Sequence, residues 1–308
     1  MIVALTSSSG AAVGAGRHGG RPTYSTPRAA STCVETSAAC DSHTESEGPA
    51  AMIDTNVNLH RWPFRRLAGD DPGDLVARLR AKGVTQAWAG SFEGLLHRDM
   101  AGVNAHLAAA SREHGPEFLV PFGCINPKLP DWQEDVRRCQ EDHHMVGIRV
   151  YPNYHGYALD DPAFAKLLSL AANRNLIVQI ELNVEDPRTQ HPLMRVPPVD
   201  PAPLPDLLRR TPNLRLVLLN SRYAGEHQNG PLRELAQARN VYFDIATVEG
   251  VGGVARLIAA TSLSRVVFGS HYPFFYFESA LLKVREAGLP DDQARAVCEG
   301  NARALLGR

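Results

Sequence analysis

The sequence has little cysteine and no long hydrophobic run. Its 308 residues contain five cysteines, none of them in a Cys-x-x-Cys pair, and the odd count argues against the fully paired framework of a small secreted protein. We therefore expect free thiols and a cytoplasmic location. No segment approaches the roughly 18 consecutive apolar residues of a membrane span, so we expect no membrane partner.

An excess of charge of either sign is also missing. The chain carries 32 basic and 33 acidic residues, which leaves a formal net charge of −1. Proteins that bind nucleic acid usually present a basic surface, so this balance argues against a nucleic-acid partner. The 12 histidines are the one compositional sign of site chemistry, because imidazole is the commonest metal ligand and titrates near pH 7.

Residues 1–51 differ in composition from the rest of the chain. They are rich in Ser, Ala, Gly and Thr and show no hydrophobic periodicity, so they cannot bury enough apolar surface to offset the entropy of ordering. We expect a disordered leader over residues 1–51 and a single domain over residues 52–308. Met52 directly precedes the first predicted strand and is a candidate for the true start of the protein.

In residues 52–308, apolar β-type runs alternate with segments of helical period, which predicts βα units around a parallel sheet. Asp71-Pro72 and Asp161-Pro162 are typical of helix starts, because aspartate caps the first turn and proline fits its first position. Eight strands exceed the usual number in an open doubly wound sheet, so the pattern favours an α/β fold of the TIM type, a (β/α)8 barrel. The predicted strands are 52–58, 84–91, 118–126, 145–152, 176–183, 214–221, 241–248 and 265–271.

A barrel of this type builds its site at the carboxyl ends of its strands. Three motifs open or end predicted strands, and a fourth lies at the end of the chain. They are IDTNVN at 53–58, GIRVYPNYHG at 147–156, GSHYP at 269–273 and GNARALL at 300–306. Together these motifs resemble the amidohydrolase superfamily, in particular its amidohydrolase-related branch of barrel hydrolases and decarboxylases. The resemblance covers nearly all of residues 52–308.

The resemblance implies a metal centre with a His-x-His pair on the first strand, histidines on strands five and six, and an aspartate on strand eight. Every matching position is changed here, and amide oxygens are poor ligands for zinc. We therefore expect no cofactor, with a divalent metal as the less favoured alternative. That alternative needs a third ligand, His155 or His191. The matching positions are Asn56, Asn58, Glu181, Asn220 and His271.

Some members of the superfamily hydrolyse lactones without metal, and the resemblance allows the same route here. His271, with a pKa near neutrality, would take a proton from water while Glu181 orients the water or acts as the acid, so these two are the predicted catalytic residues. Arg149 offers a planar fork that suits a substrate carboxylate. The predicted reaction is hydrolysis of an ester, lactone or amide of a small carboxylated substrate, with decarboxylation as a variant. The other predicted substrate-binding residues are Asn56, Asn58, Tyr151, His155 and Asn220.

Structural interpretations of the same residues remain open. The asparagines can tie loops to the barrel rim, and His271 can be a satisfied rim histidine. Glu181 can form a buried ion pair with Arg149. The histidines at 97, 106, 114, 143 and 144 are expected to be solvated. The segment 183–200 is too long for a connector, and it is either a lid or pocket wall or an extension that holds a neighbouring subunit.

A barrel without catalysis, which binds a ligand or another protein, is the alternative function. The replaced ligand set favours it, because a fold does not by itself supply an activity. A mouth filled with packed side chains would support this alternative, whereas an open polar pocket would support the enzyme. The expected partner is a small molecule, and a homo-oligomer is compatible with the sequence.

Overall fold

Eight parallel strands form the centre of the computed structural model, which describes residues 51–186, 188–222 and 230–307. Each strand pairs with the next along the chain, and Thr55 N donates to Phe268 O at 2.9 Å where the last strand meets the first. The prediction of a TIM-type (β/α)8 barrel is confirmed. The strands are β1 Met52–Leu59, β2 Val84–Ser91, β3 Leu119–Cys124, β4 Gly147–Val150, β5 Ile177–Glu181, β6 Arg215–Leu219, β7 Val241–Asp244 and β8 Val266–Val267.

Six of the strands are shorter than predicted. The difference arises because apolar runs continue beyond the last ladder hydrogen bond, into loops that line the carboxyl end of the barrel. The predicted leader lies outside the described residues apart from Ala51, and its disorder stays a prediction.

Helices alternate with the strands. Asp71 accepts a hydrogen bond from Asp74 N at 3.0 Å, and Asp161 accepts one from Ala163 N at 2.8 Å, so both predicted helix starts are confirmed. None of the described helices combines the length and the apolarity that crossing a membrane requires. The helices are α1 Pro72–Ala81, α2 Met100–His114, α3 Trp132–Glu141, α4 Pro162–Asn173, α5 Leu204–Arg210, α6 Pro231–Gln237, α7 Gly253–Ala260, α8 Phe277–Glu286, α9 Asp291–Arg295 and α10 Asn301–Leu306. Short 3-10 turns lie at Phe92–Leu95 and Leu263–Arg265, and a π-helical turn lies at Ala296–Gly300.

The barrel interior changes from apolar to polar along the strands. Near the amino ends it is filled by side chains such as Trp88 and Phe122, whose rings stack with centroids 5.2 Å apart. On β5, Ile177 belongs to this apolar layer, and Gln179 and Glu181 follow on the same face because side chains alternate along a strand. The fold therefore delivers buried polar side chains to the carboxyl end of the barrel, which we call the mouth.

Candidate active site in the barrel mouth and a cavity beside it

Three of the predicted site residues form one hydrogen-bonded cluster in the mouth. Asn56 Nδ2 donates to Asp244 Oδ2 at 2.7 Å and to Asn220 Oδ1 at 3.2 Å. Asn220 Nδ2 donates in turn to Glu181 Oε1. All four side chains are at most 2% exposed. Asp244 joins the cluster although the predicted site did not include it.

A further buried acid fixes the first strand against the last. Asp54 Oδ1 accepts hydrogen bonds from Ser270 N at 3.0 Å and from Asn56 N at 3.1 Å, and the Ser270 hydroxyl donates to the other oxygen. Burial raises the pKa of Asp54 to about 7, and the hydrogen bonds from Ser270 oppose this rise. Asp54 therefore stabilises the closure of the barrel beneath the mouth.

Arg149 is fully buried and commits its guanidinium to protein acceptors. Gly90 makes room for it, because a Cβ at this position would lie 2.7 Å from Arg149 Nη1. Within the described residues Arg149 forms no ion pair with Glu181. The structure therefore does not support the alternative interpretation, in which Glu181 is the ion-pair partner of Arg149. The acceptors are Gln179 Oε1 at 2.8 Å, Val57 O at 3.0 Å, Asn58 Oδ1 at 2.8 Å and Trp88 O at 3.4 Å.

Asn58 links Arg149 to two other predicted residues. Tyr151 OH donates to Asn58 Oδ1 at 3.3 Å, and Asn58 Nδ2 lies 3.5 Å from His271 Nδ1. His155 forms no hydrogen bond with this group in the described part of the chain, and its Nε2 lies 2.8 Å from Gly94 O. The mouth thus brings together all the predicted site residues except His155.

His271 differs from the base predicted for it. Its Nε2 lies 2.8 Å from Val184 O and donates to that carbonyl, which leaves Nδ1 facing the amides of Asn56 and Asn58. Burial lowers the pKa of His271 to about 4, against the near-neutral pKa that the sequence suggested. The ring is therefore neutral at pH 7 and is a weak base.

Glu181 has the opposite character. Burial raises its pKa to about 8; Arg149 lowers this pKa and Asp244 raises it further. Its Oε2 atom is buried without a hydrogen-bond partner in the described part of the chain, and the side chain lines a cavity of about 10 Å³. Glu181 is therefore a protonated acid at neutral pH, beside a space for about one water molecule.

These carboxyl groups predict a loss of stability at alkaline pH. A carboxyl whose pKa is raised by folding stabilises the fold at low pH, and this contribution is lost as the pH rises through the folded pKa. The lowered pKa of His271 opposes this trend only below about pH 6.5, the ordinary histidine pKa. Between pH 6.5 and 8.5 we therefore expect the ionisation of Glu181 and Asp54 to lower the free energy of unfolding by about 3 kcal/mol, with the larger share from Glu181.

Urea unfolding at pH 6.5 and pH 8.5 measures this difference. The Glu181→Gln variant should lose most of the pH dependence, because glutamine stays neutral throughout. An unfolding free energy of the wild type that is equal or higher at pH 8.5 contradicts the prediction.

The loop after β5 covers the mouth. Residues 182–186 and 190–199, which we call the roof, supply most of the lining of the small cavity beside Glu181. Two ion pairs hold the roof's acids to the barrel rim, Arg65 to Glu185 at 3.3 Å and Arg222 to Asp186 at 3.2 Å. Of the two interpretations of segment 183–200, this position favours the lid or pocket wall. The mouth is closed and packed, which is the arrangement expected for a barrel without catalysis.

A much larger cavity, of about 670 Å³, lies on the same face of the barrel beside β1 and β2. His60 directly follows β1, Glu93 lies in the 3-10 turn after β2, and His106 is on α2. Sequence reasoning missed His60 and treated His106 as solvated. The signal available for His60 was its place at a strand end, two residues beyond Asn58.

The mouth residues at the positions where the resemblance implies metal ligands are not arranged to bind a metal. The amides of Asn56 and Asn220 donate to the carboxyls of Asp244 and Glu181, and a fixed guanidinium bonds Asn58. In residues 51–186, 188–222 and 230–307, neither His155 nor His191 joins a group of metal-ligating atoms with Glu181 and His271. His60, Glu93 and His106 do form such a group, with ligand atoms all within 4.8 Å of one another.

The amidohydrolase family model matches residues 53–308. The chain belongs to the amidohydrolase family. No curated protein matches its sequence. Many solved structures share its fold.

Decarboxylases are among these structures, and at their sequence identities the likeness shows the fold alone. 2,6-Dihydroxybenzoate decarboxylase from Rhizobium has 13% identity and a TM-score of 0.65, over 85% of this chain and 99% of that chain. 5-Carboxyvanillate decarboxylase from Novosphingobium aromaticivorans, complexed with manganese and 4-hydroxy-3-methoxy-5-nitrobenzoic acid, has 13% identity and a TM-score of 0.67, over 84% and 96%. Dihydroxybenzoic acid decarboxylase from Polaromonas sp. JS666, with bound manganese and 2-nitroresorcinol, has 12% identity and a TM-score of 0.64, over 85% and 97%.

The prediction that this amidohydrolase-family chain has no cofactor is wrong. Two of the three decarboxylases described above hold manganese, and the chain itself contains a His60, Glu93 and His106 group able to hold a metal. The prediction failed because it considered only the mouth positions at which the resemblance places ligands. The group that can hold a metal lies in the neighbouring cavity instead.

Proposed function

We propose that this amidohydrolase-family chain is an enzyme that cleaves a small carboxylated molecule in the barrel mouth, with Glu181 as the proton donor. Hydrolysis of an ester, lactone or amide is the first candidate reaction, and decarboxylation is the variant. The observation that carries the proposal is the unpartnered Oε2 of the buried, protonated Glu181. Both reactions need such a donor, because the bond that breaks leaves an electron pair on oxygen, nitrogen or carbon.

Strained backbone at the strand ends supports a functional mouth. Asn220, directly after β6, has a φ of 54°, and His271, in the loop after β8, has a φ of 57°. Residues other than glycine rarely adopt this left-handed conformation, and such strain clusters at functional sites. We assign Asn58 and Asn220 to binding the carbonyl group of the substrate, because each amide nitrogen makes one hydrogen bond in the described structure and keeps a second N–H. Asn56 uses both of its N–H groups within the cluster. His271, neutral and held by Val184 O, positions the amide of Asn58.

The substrate carboxylate needs cations other than Arg149, whose donors are committed to the barrel. Arg65 and Arg222 are 48% and 37% exposed and bind the acids of the roof. The Nε atom of Arg222 is buried and has no partner among the described residues. We therefore propose that a substrate carboxylate replaces Glu185 or Asp186 at these arginines, which releases the roof and opens the mouth to Glu181.

A substrate screen with two arms tests the proposed function. One arm offers carboxylated esters, lactones and amides, and the other offers hydroxylated benzoates with detection of released CO2. We expect turnover in one arm. In that arm the Arg65→Ala, Arg222→Ala double variant should raise KM about tenfold or more, the loss of roughly 1.4 kcal/mol of binding, while kcat changes less.

Arg138→Ala, which alters an exposed ion pair on α3, is the matched control and should leave KM unchanged. Turnover with an unchanged KM in the double variant contradicts the assignment of the carboxylate to Arg65 and Arg222. If the protein turns over no compound in either arm, the proposal that it is an enzyme is contradicted.

The closed mouth favours a second candidate function, a barrel that binds a ligand or another protein without catalysis. The space beside Glu181 is about 10 Å³, far below the roughly 300 Å³ of a small-molecule pocket. This candidate predicts saturable binding of a compound in the same screen without any product.

A further inference from the structure

The structure assigns to the cavity beside the mouth a metal site of its own, in which His60, Glu93 and His106 bind one divalent transition-metal ion and leave a coordination position open. This inference goes beyond the proposed function of the mouth and does not depend on it. The site lies outside the strand positions where the resemblance placed ligands.

The spacing of the donor atoms suits such an ion. Glu93 Oε2 lies 3.5 Å from His60 Nδ1 and 2.8 Å from His106 Nδ1. Tetrahedral coordination with metal–ligand distances of 2.0–2.1 Å places neighbouring donors about 3.3 Å apart. The two observed distances lie on either side of this value and within about half an ångström of it, and no two donor atoms of the group are more than 4.8 Å apart.

His60 is the pre-organised part of the site. It is only 6% exposed, its φ is 66°, and this left-handed backbone at the end of β1 turns its ring into the cavity. Its Nδ1 lies 2.7 Å from Ser91 Oγ, a hydroxyl that can release the nitrogen by rotating. Its Nε2 is buried without a partner in the described part of the chain, so one of the two ring nitrogens makes no hydrogen bond there.

His106 is the adjustable part. Its ring stacks on that of His60 with centroids 4.1 Å apart and 8° between the planes, so one of the two rings must turn before both nitrogens face a single ion. The side chain of His106 is 56% exposed on α2 and is free to make this turn. One fixed ligand, one carboxylate and one mobile ligand are therefore present.

The donor set selects the class of ion. Two imidazole nitrogens and one carboxylate suit zinc and manganese, whereas calcium and magnesium prefer sites made of oxygen ligands. Three protein ligands leave a fourth position for water or another small ligand, as in catalytic zinc sites. The cavity of about 670 Å³ gives this open position access to solvent.

Metal binding by the tag-free full chain tests the inference. The protein is stripped with a chelator and titrated with ZnCl2 and with MnCl2 by calorimetry, and its metal content is measured after dialysis. We expect one equivalent of zinc, with weaker binding of manganese as the general order of metal affinities requires. Glu93→Gln and His106→Ala, which change partly exposed side chains and spare buried His60, should each weaken zinc binding tenfold or more.

Two matched controls lie in the same cavity. His97 and His114 line it but do not belong to the group, so His97→Ala and His114→Ala should keep the wild-type affinity. Circular dichroism of each variant establishes that its fold is retained. The inference is overturned if zinc does not bind stoichiometrically, or if Glu93→Gln and His106→Ala bind it as the wild type does. Loss of the metal in Glu181→Gln would place it in the mouth and also overturn the inference.

Discussion

Glu181→Gln is expected to lower kcat by about 10²- to 10⁴-fold, the contribution of a positioned proton donor. Glutamine has the size of the protonated acid, and its carbonyl oxygen can accept the hydrogen bond from Asn220 as Glu181 Oε1 does. It cannot, however, give up a proton to a leaving group. We therefore expect the variant to keep the fold and an uncharged side chain at position 181, and to lose only the reactive proton.

Steady-state kinetics with the substrate found in the screen measure this effect. The control is Glu234→Gln, which removes an exposed carboxylate on α6 that pairs with Arg209 and should leave kcat unchanged. A Glu181→Gln variant that retains more than a tenth of the wild-type kcat would show that the proton comes from another group.

Arg149→Met is expected to destabilise the protein by about 3–5 kcal/mol, because it leaves several buried oxygen acceptors without their donor. The methionine fills much of the space, but the oxygens of Val57, Asn58 and Gln179 lose their donors, and each unpaired buried acceptor costs about 1–3 kcal/mol. The buried acids Glu181 and Asp244 also lose the cation that favours their charged forms. Chemical denaturation of the two proteins measures the difference.

Arg138→Met on the surface of α3 is the control for this variant. The side chains of Arg138 and its ion-pair partner Glu134 are 46% and 41% exposed. We therefore expect the free energy of unfolding to change by no more than about 0.5 kcal/mol. If Arg149→Met is as stable as the wild type and only raises KM, Arg149 binds substrate as the sequence suggested, and our structural role for it is wrong.

The barrel itself could be predicted because its signals are local. Aspartate followed by proline begins α1 and α4, and a hydrophobic run marks each strand, so the order of elements is visible without any long-range information. The parallel direction of the strands then follows, because each strand is connected to the next by a helix. Strand ends could not be located as well, because the last ladder hydrogen bond depends on the neighbouring strand rather than on the apolar run itself.

The site could be predicted only in part, for a related reason. The nearness of Glu181, Asn220 and His271 could be predicted, because a barrel brings the ends of its strands together. Asp244 was not selected, since the sequence does not reveal which face of the short β7 points inward. The hydrogen bonds of Arg149 to protein acceptors and the low pKa of His271 could not be predicted, because they depend on burial and on partners far away in the sequence.

The group able to hold a metal could not be predicted, because its members come from a strand end, a 3-10 turn and a helix. His106 follows a helical pattern that is equally typical of a solvated face. Its nearness to His60 arises only from the packing of α2 beside β2 and β3.

The pH dependence of kcat/KM between pH 6 and 9.5 tests the central claim most directly, because this ratio reports the ionisation of groups in the free enzyme. We predict that kcat/KM falls as the pH rises through about 8, where Glu181 loses its proton, and that the residual activity of Glu181→Gln lacks this fall. A wild-type kcat/KM that stays constant or rises across this range would contradict the role of Glu181 as the acid.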